Sequence, residues 1–153
     1  MHYELSEDNK RIRDIVRRVA SEKVAPRAGE IDAKAEYPQD MFDLLKGLGL
    51  FTLPFDEKYG GMNSILSACI AIEEFGRVCY NTAYLLVVQW VPFGAILAGG
   101  SKDQKDRYLP GLADGSLRGA FSTTESQSGS DVGGITTRAV TFDGSYQSTG
   151  KKI

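Results

Sequence analysis

Apolar residues recur at helical spacing through the first three quarters of the chain and lose that spacing in the last quarter. From Ser6 to about Ala33, Ile12, Ile15, Val16, Val19 and Ala20 follow the i, i+3, i+4, i+7 rhythm of one helix face. Ser6 suits the N-cap, and Glu7 and Asp8 fall in the first turn, where the helix dipole favours acids. Pro26 lacks an N–H and predicts a kink or an end near it. A second helix is expected from Pro38, with Met41, Leu44, Leu45 and Leu48 as its stripe and Gly47 and Gly49 closing it. After a loop through Pro54 to Gly60-Gly61, a third runs from an N-cap at Ser64 to about Cys79. Ile65, Cys69, Ile72, Phe75 and Cys79 would line its inner face, and Glu73 and Arg77 would pair on its surface. The stretch Ala83–Ala98 reads as a buried helix. It is shorter than the roughly 18–20 residues of a membrane span, and Gln89, Pro92 and Gly94 interrupt it. A fifth helix opens on a capping box at Ser101 and Gln104, turns Tyr108, Leu109 and Leu112 inward and ends near Gly115.

From Ser116 onward Ser, Thr and Gly dominate. Leu117–Thr124, Thr136–Phe142 and Tyr146–Thr149 read as short strands, the last two joined by an Asp143-Gly144 hairpin turn. The fold class is therefore mainly α: an all-α domain over residues 1–116, then an incomplete β region over 117–153. Two or three strands without a covered face do not make a stable sheet. The chain also stops at Lys151-Lys152-Ile153 in mid-strand, so a truncated piece is expected, its open β edge inviting association.

Composition narrows the function. The 153 residues are 42% hydrophobic and 25% charged, which suits an ordinary globular protein rather than a disordered one. Eighteen basic against twenty acidic side chains leave a net charge of −2, which argues against a general nucleic-acid binder. The basic residues Lys10, Arg11, Arg13, Arg17 and Arg18 then read as a solvated helix face. Cys69 and Cys79 form no CxxC pair and read as reduced, buried thiols. With a polar, acidic N-terminus at Met1–Asn9 and no secretory signal, a cytoplasmic protein is expected. The sole histidine, His2, leaves no material for a His-based triad or a zinc site. The chain has no GxSxG elbow, no GxxxxGK[ST] loop and no GxGxxG turn.

One segment remains. Ala120-Phe121-Ser122-Thr123-Thr124-Glu125-Ser126-Gln127-Ser128-Gly129-Ser130-Asp131-Val132-Gly133-Gly134 runs from a β-prone stretch into a loop dense in hydroxyls and small residues. It offers backbone N–H groups and Ser/Thr donors to a polar or anionic ligand, with glycines that let the ligand come close. By composition alone it reads more readily as an ordinary Ser/Gly surface loop.

Thr124-Glu125 followed by Gly129-Ser130-Asp131-Val132 resembles the flavin-loop motif T-E-P-x-x-G-S-D of the acyl-CoA dehydrogenases. Gly150-Lys151-Lys152 is similar to that family's later G-x-K strand. Val24-Ala25-Pro26, Ile31-Asp32, Pro38, Leu48-Gly49-Leu50, Tyr59-Gly60-Gly61, Glu73-Glu74, Gly100, Gln104-Lys105 and Tyr108-Leu109-Pro110 follow in the family's order. The resemblance implies an N-terminal helical domain, a middle β domain and a C-terminal bundle. It implies non-covalent FAD and oxidation of an acyl-CoA to the 2,3-enoyl-CoA. A glutamate takes the α proton, and electrons pass to an electron-transferring flavoprotein. A homo-oligomer is implied for the full-length form.

Carried over by position, Phe121, Ser122, Thr123 and Thr124 match the segment beside the flavin ring. Gly129 lies in the same motif, and Ser130 matches the serine that contacts FAD and acyl-CoA. Asp131 would order the loop. Tyr84, Val87, Val88 and Val91 form a stripe on the helix that matches the family's acyl pocket, and the same stripe would equally serve as plain core. Ser126 departs from the motif's proline, and Gln127-Ser128 replace residues that are commonly smaller or acidic. Glu73, Glu74 and Glu125 are not the family's base, which lies beyond Ile153 with the aromatic-Ile-Thr/Ser motif. No residue here is therefore expected to be catalytic and none to bind a metal, and the isolated chain is expected to be inactive. The alternatives are a flavin oxidase or monooxygenase of the same fold, or a non-catalytic helical binding module.

Overall fold

The computed structural model describes residues 4–153, and His2 lies outside them. The chain forms two compact units, Met1–Ala120 and Phe121–Ile153.

The first unit is helical. In α1 (Glu7–Val19) the Ser6 hydroxyl accepts the Asn9 N–H at 3.2 Å, so the cap is the expected one. Near Pro26 the helix is reset rather than ended. Ala20–Val24 form a π turn that leads into α2 (Ala25–Lys34). Pro26 has no N–H for the Glu22 carbonyl, and its ring crowds that carbonyl. The wider turn absorbs the mismatch and keeps both Ala20 and Val24 in the core. After a left-handed Ala35, α3 spans Gln39–Gly47, with Pro38 at the N-cap and not in the first turn. Gly49, at φ +67°, turns the chain into a short 3-10 segment, Leu50–Thr52.

Helix α4 (Ile65–Gly76) is capped by Ser64, whose hydroxyl accepts the Ser67 N–H at 3.1 Å. Its inner face differs from the expected one. Ser67, Ala68, Ile70, Ala71, Glu74 and Phe75 are buried, whereas Ile65 and Cys69 are exposed. The rotation buries Glu74, and Arg77 pairs with it at 3.1 Å instead of with Glu73. A charge partner on α1 makes that burial tolerable, as described below. Both cysteines are free thiols, but only Cys79 is buried.

Helix α5 (Tyr80–Gly99) is longer than expected and only half sunk. Thr82, Ala83, Leu85, Leu86, Gln89, Pro92 and Phe93 face inward, and Tyr84 and Val91 face outward. Among the described residues it is the one helix long and apolar enough to cross a membrane by length and composition. Helix α6 (Lys102–Ala113) has the full capping box: Ser101 Oγ accepts the Gln104 N–H, and the Gln104 side chain accepts the Ser101 N–H. Leu109 and Leu112 point inward, whereas Tyr108 stays on the surface.

Helix α1 packs on α4, α4 on α5 and α5 on α6. Val16, Val24, Leu45, Phe51, Phe75 and Leu86 form the larger core cluster. Phe55, Phe93, Leu109 and Leu112 form the smaller one, where the Phe55 and Phe93 rings stack at 22°.

In the second unit, β1 (Arg138–Phe142) and β2 (Ser145–Thr149) pair antiparallel with Phe142 opposite Ser145. Asp143 and Gly144 take φ +45° and +70°, the left-handed pair that a two-residue type I′ turn needs. The strand expected over Leu117–Thr124 does not form. A strand requires a ladder partner, and among the described residues nothing pairs regularly with this segment; only an isolated bridge joins Glu125 to Ser128.

Candidate functional site

The loop from Phe121 to Ser130 starts as an irregular stretch with its side chains turned out. Phe121, Ser122, Thr124, Gly129 and Ser130 are exposed, and Thr123 is half-buried. The N–H groups of Ser122, Thr123 and Thr124 find no acceptor among the described residues. Nothing lies within 4 Å of where a Gly129 side chain would begin, so the backbone there is open to approach.

What fixes the loop is Glu125, which the sequence reading set aside. Its side chain is buried, and every acceptor position is used. Oε2 accepts the Thr136 N–H at 2.9 Å and the Thr136 hydroxyl at 2.7 Å. Oε1 accepts the Thr137 N–H at 2.9 Å, the Thr137 hydroxyl at 2.5 Å and the Lys152 ammonium at 3.0 Å. Gln127 Nε2 adds a bond to Oε2 at 2.5 Å. The Thr137 hydroxyl, then the N–H and hydroxyl of Thr136, hold the carboxyl far below the ordinary glutamate range against the cost of desolvation. These bonds favour the charged form and make the group an anchor for the loop.

Two backbone bonds, Glu125 N–H to Ser128 O at 2.8 Å and Ser128 N–H to Glu125 O at 3.1 Å, close the turn over Ser126 and Gln127. This turn holds its shape with Ser126 where the motif has proline. Asp131 orders the exit of the loop. Its carbonyl accepts the Ser128 hydroxyl and, at 3.1 Å, the Gly134 N–H. A side chain at Gly134 would begin 3.1 Å from the Asp131 carboxylate, a contact that this exposed side chain must shift slightly to relieve.

The second group of candidate residues lies in the helical unit, on α5. Tyr84 is 48% exposed and Val91 38%, with Val87 and Val88 half-buried, so this stripe is not core. The Tyr80 ring stacks on Tyr84 with centroids 5.6 Å apart. Tyr84, Leu85 and Val88 form one wall of an open cleft of about 630 Å³, with Ile31, Asp32 and Tyr37 opposite. Trp90 turns away from the stripe and donates its indole N–H to Phe51 O at 2.8 Å.

Gln89, on the inner face of α5, was also not anticipated. Its amide donates to Leu112 O at 2.8 Å and to Leu117 O at 2.7 Å, tying the end of α6 and the following segment to α5. A buried amide in an otherwise apolar helix was the available signal, since such a group requires partners. For Glu125 the signal was weaker, because its partners other than Gln127 stand 11 to 27 positions away in sequence.

Comparison with known proteins bears on the family of the chain. The family described as acyl-CoA dehydrogenase, N-terminal domain, matches residues 6–116. The cyclohex-1-ene-1-carbonyl-CoA dehydrogenase of Geobacter metallireducens is 39% identical over 97% of this chain and 40% of its own length. The solved butyryl-CoA dehydrogenase of Megasphaera elsdenii superposes with a TM-score of 0.89 at 31% identity, over 100% of this chain and 42% of its own. A chain in the solved structure of the electron transferring flavoprotein of Acidaminococcus fermentans gives 0.91 at 32%, over 100% and 41%. The chain belongs to the acyl-CoA dehydrogenase family. It spans about 40% of the length of the curated relatives it matches.

Proposed function

We propose that this chain supplies the N-terminal helical domain and part of the flavin loop of an FAD-dependent acyl-CoA dehydrogenase that converts an acyl-CoA to its 2,3-enoyl-CoA. The observation that carries the reading is the Phe121–Ser130 loop, held open by Glu125 while its donors face outward. Free backbone N–H groups and the hydroxyls of Ser122, Thr124 and Ser130 suit the carbonyl-rich pyrimidine edge of a flavin, and the exposed Phe121 ring suits its flat face. Bound FAD would supply the hydride acceptor. Thr123 and Thr124 would orient the ring and stabilise the negative charge that reduction places on its pyrimidine side. Ser130 would touch both FAD and acyl-CoA, and Gly129 would let the cofactor approach the backbone.

Tyr84, Val87 and Val91 would contact the acyl chain. Their exposure on a helix whose other face is core supports this assignment. The α-proton base is assigned outside these 153 residues, so the 153-residue chain by itself turns over no acyl-CoA. The electron acceptor is an electron-transferring flavoprotein, the full-length protein is a homo-oligomer, and the location is the cytoplasm.

The test is anaerobic addition of butyryl-CoA to the FAD-loaded full-length protein. Bleaching of the flavin band with release of an enoyl-CoA is expected. Peroxide formed with oxygen as the efficient acceptor would reassign the protein as an oxidase. Absence of bleaching with a range of acyl-CoA thioesters would contradict the proposal.

A further inference from the structure

Lys152 lies 29 positions from Thr123, yet its ammonium donates to the Thr123 carbonyl at 2.8 Å and to Glu125 Oε1 at 3.0 Å. The neighbouring Ile153 N–H donates to the Thr124 carbonyl at 3.1 Å. Every peptide bond among the described residues is trans, so a carbonyl and the following N–H point in opposite directions. Fastening the Thr123 carbonyl to Lys152 therefore turns the Thr124 N–H to the opposite side. That N–H is one of the donors left without an acceptor.

We propose that Lys152 and Glu125 are a positioning pair that aims the Thr124 N–H at the flavin. This rests on the flavin reading of the loop. Glu125 has no chemical part. Its side chain is 2% exposed, and Thr136 and Thr137 fix it from the side of β1, so it is a rigid post. Lys152 is the one cation paired with it among the described residues. The post holds the ammonium, the ammonium holds the Thr123 carbonyl, and the carbonyl sets the peptide plane. Lysine is suited to the task because its three donors serve a carbonyl and a carboxylate at once. Thr124 does the binding, while Lys152 and Glu125 act through it.

The experiment compares full-length wild-type protein with Lys152→Met and Lys152→Arg. The readouts are FAD affinity by fluorescence titration, the visible absorption band of the bound flavin and far-ultraviolet circular dichroism. Lys152→Met is expected to weaken FAD binding about tenfold, the scale of one lost charge-assisted bond, and to shift the flavin band. The circular dichroism should be unchanged, and Lys152→Arg should recover most of the affinity. Should Lys152→Met not fold, Glu125→Gln, which keeps the shape and removes the charge, is judged by the same titration and spectrum. Wild-type affinity and an unshifted band in the variant would overturn the positioning role and leave the flavin reading standing. Failure of folded wild-type protein to bind FAD would overturn both.

Discussion

Arg17 and Glu74, 57 positions apart, form a two-pronged ion pair that locks α1 to α4. Arg17 Nε donates to Oε2 at 3.0 Å and Nη2 to Oε1 at 2.6 Å. The carboxylate is buried and the guanidinium half exposed. The Arg17 hydrogen bond, ahead of the opposing cost of burial and the charges of Arg17 and Arg77, holds the Glu74 carboxyl below its ordinary value of about 4.5. A lowered carboxyl stabilises the fold fully above that ordinary value and loses its contribution as pH falls through the lowered one. Arg17→Met should therefore move the acid-unfolding midpoint to higher pH and reduce stability at pH 7. Circular dichroism against pH measures it, and an unmoved midpoint would show the pair to be idle.

Glu125 obeys the same sign. Its carboxyl is held lower still, so its bonds to Thr136 and Thr137 should persist through pH 4.5, where an ordinary glutamate is half protonated. In a nuclear magnetic resonance titration the Thr136 and Thr137 amide shifts should stay level down to that pH. A titration centred near 4.5 would contradict the anchoring role.

Gln89→Leu keeps the volume of a buried side chain and removes its amide. The carbonyls of Leu112 and Leu117 then lose their donor. A loss of about 1–3 kcal/mol in chemical denaturation is expected, the cost of leaving the buried Leu112 carbonyl and the part-buried Leu117 carbonyl unpaired. Hydrogen exchange should quicken at the Leu117 and Gly119 amides, which bond to Gly111 O and to the Gln89 side chain. A loss under about 0.5 kcal/mol would mean that water replaces the amide.

The outward α5 stripe separates stability from binding. Tyr84→Ala and Val91→Ser alter exposed positions and should change unfolding free energy by no more than about 0.5–1 kcal/mol. If the stripe receives the acyl chain, the Michaelis constant for butyryl-CoA should rise while FAD content stays constant. Unchanged kinetics in both variants would remove the stripe from the substrate site.

Local signals in the sequence were reliable. The caps at Ser6, Ser64 and Ser101, the disturbance at Pro26 and the Asp143-Gly144 turn each depend on residues within one or two turns of each other. What was not legible depends on partners far along the chain. The inner face of α4 is set by Arg17 meeting Glu74, a charge that periodicity places outside. The Leu117–Thr124 segment has strand composition, but a ladder needs a neighbour that the local sequence cannot supply. In the candidate site, the loop and its glycines could be read from composition and motif. Their support could not, because Thr136, Thr137 and Lys152 stand 11, 12 and 27 positions from Glu125, the last of them beyond the hairpin.

The most direct measurement is FAD titration of the full-length protein beside Thr124→Val and Ser130→Ala. A flavin role for this loop requires stoichiometric binding by the wild type and weaker binding, about tenfold per lost hydrogen bond at most, in each variant, with unchanged circular dichroism. A folded wild-type protein that binds no FAD, or variants that bind it as well as the wild type, would contradict that role.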